Sequence, residues 1–331
     1  IRVLYKLKNK ILIVGGGGYV GTELTKKLID LNYNVGVYDL FLYGNFLTNR
    51  KCKIFKGDVR DIDNLKIAIR GYDTIIHLAC ISNDPSFELN RNLSKSINYD
   101  CFEPLIKISK DEGIKKFIYA SSSSVYGIKK EKDVHEGLEL KPLTDYSKFK
   151  VKCEDIVLKH SSSDFTTTIL RPSTVNGYSE RQRLDVVVNI MTNIGFHTKK
   201  IKVFGGSQLR PNIFMRDMID AYILLIQAEN KKIQGEVFNV GDENISVSDI
   251  AKKTAKILSN NSEITYENTN DLRSYHVSSD RIKKKLGFVS KYSIDDGIKS
   301  LIHAFENKFI TNTFDNQNYY NLKTLQNINF K

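Results

Sequence analysis

The stretch KILIVGGGGYVG, residues 10–21, decides how the rest of the chain is read. The apolar run KILIV predicts a buried strand. It ends in four glycines, and helical spacing follows at Val20, Leu24, Leu28 and Leu31. Consecutive glycines are costly to order, so the backbone must need to be bare here. The spacing Gly15-x-x-Gly18-x-x-Gly21 supplies the reason. Gly15 permits a sharp turn out of the strand, Gly18 lets the backbone approach a pyrophosphate, and Gly21 lets the helix lie close on the sheet. Tyr19, Val20 and Gly21 open that helix, where free N–H groups and the helix dipole favour an anion. Asp39 closes the next apolar stretch, NVGVYD, 18 positions past Gly21. A carboxylate there accepts from a ribose diol and repels a 2′-phosphate, which favours NAD over NADP.

Working outward, strand patterns at 34–38, 52–55, 74–79, 116–121 and 166–171 alternate with helical patterns near 62–69, 93–112 and 146–160. The strands are apolar throughout, as burial on both faces requires. The fold class expected is α/β: a Rossmann-like doubly wound parallel sheet with a smaller, mixed α/β C-terminal lobe. The sheet domain is expected over 10–175, with 213–242 returning to it. The smaller lobe is expected over 176–212 and 243–305, and 306–331 reads as a loosely ordered polar tail.

The chain has 331 residues, 41% apolar and 27% charged, ordinary values for a globular protein. No run of roughly 18 apolar residues exists, so no membrane span is expected. The basic start is too short for a secretory signal. The net charge of +12 reads as a scattered lysine surplus, or as a field that attracts an anionic substrate such as a nucleotide. Nucleic acid is not expected as a partner: Lys283–Lys285 and Lys199–Lys200 are short runs without interleaved aromatics. Cys52, Cys80, Cys101 and Cys153 form no CxxC pair, so no metal site is expected and reduced thiols in a cytoplasm are the simplest reading.

Two stretches carry chemistry. SSSSVYG, residues 121–127, follows a strand, and YSKFK, residues 146–150, opens a helix. Tyr146 and Lys150 are four apart and share one helix face. A phenol with a pKa of about 10 is too weak a base near neutrality. A neighbouring ammonium favours the phenolate and lowers that value. Tyr146 would then take a proton from a substrate hydroxyl, which a serine hydroxyl orients.

Taken together, these residues resemble the extended short-chain dehydrogenase/reductases, the NAD-dependent nucleotide-sugar epimerases and dehydratases, over residues 10–305. The resemblance implies that Asp58 and Val59 in GDVRD contact adenine, that Leu78 and Ala79 line the cofactor, and that Asn98 helps position the active site. It makes Tyr146 the base, lets Lys150 hold both Tyr146 and the nicotinamide ribose, and puts the catalytic hydroxyl at Ser122, with Ser123 as the fallback. Arg171 counts among the cofactor-binding residues and begins the segment that crosses from cofactor to substrate lobe. The second lobe would hold a nucleotide-diphosphate sugar: Arg210 and Arg273 as phosphate ligands, Arg183 against phosphate or base, and Ser82, Asn83 and Asn176 bordering the sugar. Asn176 and Asn212 stand where the family more often carries aromatic residues. A homodimer through two long helices is also implied, with Leu105, Ile106, Ile108, Val151, Ile156 and Val157 available for that face or for the sheet.

In the dehydratases of this family an Asp-Glu pair follows the catalytic hydroxyl. Ser123 and Ser124 stand there instead. The expected reaction is therefore NAD-dependent oxidation at the sugar's 4-position, as a 4-epimerase like those acting on UDP-glucose. The alternatives are a 4-dehydrogenase that releases the 4-keto sugar, for example from a GDP-heptose, and a catalytically silent NAD-binding sensor or scaffold.

Overall fold

The computed structural model describes residues 9–48, 50–269, 274 and 276–328. In chain order the strands are β1 (Lys10–Val14), β2 (Asn34–Asp39), β3 (Lys53–Lys56), β4 (Thr74–His77), β5 (Lys116–Ala120), β6 (Thr166–Pro172), β7 (Thr174–Asn176), β8 (Lys200–Phe204), β9 (Leu209–Phe214), β10 (Glu236–Val240), β11 (Asn244–Ser246) and β12 (Glu263–Glu267). Seven form one sheet in the order β3-β2-β1-β4-β5-β6-β10. Every neighbouring pair in it is parallel.

Strand β1 explains why the sheet is covered on both sides. Its residues Ile11 to Val14 are fully buried. Ile11 and Ile13 enter a core with the helices Tyr19–Asp30 and Met215–Gln227, through Leu24, Leu28, Met218 and Tyr222. Leu12 and Val14 enter the opposite core with Leu65, Phe102, Leu105, Cys153 and Val157 from the helices Ile62–Ile69, Phe102–Asp111 and Asp145–Lys159. Successive strand residues point to opposite faces, so a continuous apolar run feeds two cores at once. The strand order reverses between β1 and β4, which opens a crevice at the carboxyl ends of the strands.

The long helix expected over 93–112 is broken. Helices Asp84–Glu88 and Arg91–Lys95 lead into a π-turn at Ser96–Asp100, and a separate helix runs from Phe102 to Asp111. Pro104 has no N–H to give the carbonyl four residues back, so the hydrogen-bond register changes just before it. Of the apolar positions considered for a dimer face, Leu105, Ile106 and Val157 lie in this chain's own core, with Ile108 and Ile156 packed against it.

Beyond β6 the chain builds a second body. β9 pairs parallel with β7 and antiparallel with β11, and β8 pairs parallel with β12. The helices Val187–Thr198, Val247–Leu258 and Ile294–Glu306 close a core of Val188, Ile201, Val203, Ile250 and Ile298. Ser246 caps the second of these by accepting from the Asp249 N–H at 3.0 Å.

The polar tail departs from the expectation of loose order. Ile310, Tyr319 and Tyr320 pack with Leu184, Leu301 and Phe305, and a helix runs from Asn321 to Asn327. These three side chains join one core cluster, which a composition-based reading of an Asn-rich segment misses. Among the described residues, no helix is long and apolar enough to cross a membrane.

Candidate active site

The glycine corner is built as its spacing requires. Gly15 has φ +89°, and a Cβ there would come within 2.4 Å of the Ala79 amide nitrogen. A Cβ on Gly21 would stand 2.4 Å from the Gly15 carbonyl oxygen, so helix and turn touch through bare backbone. Gly18 differs: a Cβ there would meet only the Gly15 oxygen, at 3.3 Å. Its open side faces the cleft. Gly18 is also the N-cap of the helix Tyr19–Asp30, and no side chain caps that end. The first-turn N–H groups are thus presented to an anion.

Two adjoining cavities meet at this corner. The first is lined by Gly15, Gly18, Asp39, Tyr43, Val59, Leu78 and Ala79. Asp39 accepts from the Gly17 N–H at 2.9 Å and from the Phe41 N–H at 2.6 Å, so it also braces the glycine turn. Burial raises its pKa, against those two backbone bonds, which lower it. The second cavity runs from Gly15, Tyr19, Val20 and Gly21 to Tyr146 and Lys150.

The helix Asp145–Lys159 carries the Tyr/Lys face expected from the sequence. Thr144 caps it, accepting from the Ser147 N–H at 3.3 Å. Tyr146, Lys150 and Glu154 recur every four residues along it, and Lys150 and Glu154 are buried. Lys150 Nζ donates to the Ala120 carbonyl at 2.7 Å and lies 5.8 Å from the Tyr146 ring centre. The ammonium is therefore fixed between the end of β5 and the phenol.

A third cavity continues past Tyr146. Ser82, Asn83, Asp84, Ser122, Ser123, Ser124, Arg183 and Arg210 line it. Ser122 caps a 3₁₀ turn at Ser123–Tyr126, and its Oγ stands 2.9 Å from Ser124 Oγ. Ser147 Oγ in turn donates to Ser124 Oγ at 3.1 Å. Ser121 is not available, because its hydroxyl donates to Glu154. Asn83 holds φ 73° and caps the helix Asp84–Glu88 by accepting from the Ser86 N–H. Thr144 donates to Asp84 at 2.5 Å.

Strand, glycine turn, helix, acid, serine run and Tyr/Lys face are thus assembled around one cleft. The profile of the NAD dependent epimerase/dehydratase family matches residues 11–241. The chain belongs to this family. It is 26% identical to a UDP-glucose 4-epimerase of Lactobacillus helveticus over 271 residues, covering 75% of this chain and 82% of that protein. It is 26% identical to the human dTDP-D-glucose 4,6-dehydratase over 326 residues, 91% of each chain. Its structure is similar to that of a UDP-glucuronic acid 4-epimerase from Bacillus cereus in complex with UDP-glucuronic acid and NAD. The TM-score there is 0.80 at 25% identity, over 90% of this chain and 99% of that one.

As a member of this NAD-dependent family the chain is an enzyme whose cofactor is NAD. The open face of Gly18, the helix end without a side-chain cap and Asp39 in the neighbouring cavity fit that group.

Other expected site residues of the family reading hold partners within the chain. Asp58 pairs with Arg60 at 2.7 Å, while Val59 lines the cavity. Asn98 binds both the N–H and the carbonyl of Ile81, at 2.8 and 3.0 Å, and so pins the loop after β4. Arg171 is not in the cleft wall. Its guanidinium grips Glu154 at 2.6 and 3.0 Å and donates to Tyr126 Oη at 2.8 Å. The strand end points it into the layer beneath the cleft, where Glu154 arrives from the helix. Asn176 is fully buried, its amide packed where a Cβ on Gly297 would clash. The small residue at 297 takes the amide in, so Asn176 does not border the third cavity. Arg273 lies outside the described residues.

Other cleft residues escaped the sequence reading. Tyr43, Cys80, Arg181 and Asn321 line the second cavity. Arg181 stands two positions before Arg183, which alone carries a sequence signal in this stretch. Asn321 lies in the tail and carried no signal.

Proposed function

We propose that this enzyme is a nucleotide-sugar 4-epimerase. The observation that carries the reading is the third cavity, where Ser122, Ser123 and Ser124 stand beside Tyr146. No carboxylate follows the catalytic hydroxyl, so a dehydratase's acid and base are missing from that place. Of the carboxylates on the cavity wall, Asp185 pairs with Arg183 at 2.6 Å and Asp84 accepts from Thr144. Arg183 and Arg210 supply guanidinium groups for a diphosphate.

Ser122 orients the sugar's 4-hydroxyl, and Tyr146 Oη takes its proton. Lys150, held on the Ala120 carbonyl, keeps positive charge beside the phenol and so favours the phenolate. When bound, NAD would supply a reversible hydride acceptor for C4. Epimerisation then requires the sugar to present its other face while the nucleotide stays anchored by the arginines. The relatives, a UDP-glucose 4-epimerase and a dTDP-D-glucose 4,6-dehydratase by name, support a nucleotide-diphosphate sugar as the substrate class. A homodimer belongs to the same proposal, and sedimentation at micromolar concentration tests it.

The test is incubation of the purified enzyme with UDP-, GDP-, dTDP- and CDP-sugars, followed by proton NMR. A 4-epimer without net NADH supports the reading. A free 4-keto sugar with stoichiometric NADH overturns it in favour of a 4-dehydrogenase, and a 4-keto-6-deoxy sugar in favour of a dehydratase.

A further inference from the structure

Arg181 is among the largest fully buried side chains, at 2% exposure, and it forms part of the wall of the cavity that holds the glycine corner. Its guanidinium stacks over Tyr43, with the central carbon 3.9 Å from the ring centre. One terminal nitrogen donates to Asn321 Oδ1 at 2.6 Å, and the other reaches the Gln182 carbonyl at 3.5 Å. Its Nε has no hydrogen-bond partner. Among the described residues no carboxylate forms a salt bridge with it. A buried cation in that state is costly unless an anion completes it. Burial also pulls its pKa down to about 10.

The groups around it locate the missing anion. Tyr43 belongs to both the Asp39 cavity and the Tyr146 cavity, so it stands where the two meet. Arg181 lines only the second, together with Gly15, Gly18, Tyr19, Val20 and Gly21. The opening turn of that helix presents N–H groups to the same space.

Asn321 fixes the arginine from outside. Its Nδ2 donates to Ser82 Oγ at 2.8 Å, and its backbone N–H donates to Asp185 Oδ2 at 2.9 Å. One residue of the C-terminal segment thereby ties together the loop after β4, Arg181 and the carboxylate that holds Arg183.

We propose that Arg181 binds the pyrophosphate of NAD from the side opposite the glycine corner, and that Asn321 is its positioning residue. The C-terminal segment then closes the cofactor cleft through a single side chain. This inference concerns the cofactor and stands whichever sugar chemistry the enzyme performs.

The test uses the full chain and reads cofactor binding rather than turnover. NAD carried through purification is quantified after denaturation, and dissociation constants for NAD and for adenosine are measured by calorimetry. Arg181→Met, which keeps the stem and removes the donors, should weaken NAD by about ten- to hundredfold, the loss expected for a charge-assisted hydrogen bond. Adenosine, which lacks the phosphates, should change less than about twofold. Asn321→Ala should weaken NAD several-fold and leave adenosine alone, and it reports even if Arg181→Met fails to fold. Unchanged NAD affinity in either folded variant would overturn that residue's role. Equal loss of NAD and adenosine would overturn the pyrophosphate assignment.

Discussion

Lys150 and Tyr146 lie one helical turn apart, with the ammonium 5.8 Å from the centre of the phenol ring and anchored on the Ala120 carbonyl. The lysine is 5% exposed, so water screens its charge poorly at that distance. Tyr146→Phe should lower kcat by about 10²–10⁴-fold, the range for loss of a positioned base, while NAD content stays at the wild-type level. Lys150→Met should lower kcat and also move the acid limb of the pH–rate profile upward, because the phenol loses the charge that favours its ionised form. Steady-state kinetics across pH 6–10 check both outcomes.

The glycines separate folding from binding. Gly15→Ala forces an L residue into φ +89° and into the Ala79 backbone, so it should destabilise the fold as well as abolish NAD binding. Gly18 has φ −79°, which alanine adopts freely. Gly18→Ala should therefore keep or slightly raise stability, by up to about 1 kcal/mol, yet lose NAD. Thermal unfolding beside released-NAD quantification distinguishes the two.

Arg171 and Glu154 form a buried bidentate pair that supports the helix Asp145–Lys159 from beneath. Glu154→Leu leaves the guanidinium uncompensated and should cost about 3–5 kcal/mol. Adding Arg171→Met to Glu154→Leu should recover much of that loss, since an apolar pair replaces a lone charge. Urea unfolding of the single and double variants makes the comparison.

Acid stability should depend on His77. It is buried among Phe102, Phe117 and Tyr119. Burial first, and Lys150 second, lower its pKa from 6.5 to about 3. Between those values the unfolded chain binds the proton and the folded chain does not. The stability that His77 contributes is thus complete above pH 6.5 and falls as pH drops below it, by about 1.4 kcal/mol per pH unit. His77→Phe should flatten that slope in denaturant titrations between pH 6.5 and 4.5.

Much of this site is local in sequence, and that is why it could be read. A strand, a glycine turn and a helix are contiguous, so Gly15, Gly18 and Gly21 announce the corner that the structure contains. Tyr146 and Lys150 need only helical periodicity to share a face. The sheet order follows from strand–helix alternation, and β10 completes it from far along the chain. What stayed hidden depends on partners distant in sequence. Nothing near Arg171 reveals that Glu154 will take its guanidinium. Nothing in an Asn-rich tail reveals that Asn321 will meet Ser82, 239 residues away. Pro104 marks the break in the sequence, but the helical periodicity on either side of it is the stronger signal.

The central claim is that Tyr146 and NAD act together on the sugar's C4. Incubation with a nucleotide sugar deuterated at C4, followed by NMR, tests it most directly. The account predicts slower turnover than with the protiated sugar, and a 4-epimer that keeps its deuterium at C4. Deuterium lost to solvent from C4, or turnover that is unchanged in Tyr146→Phe, would contradict it.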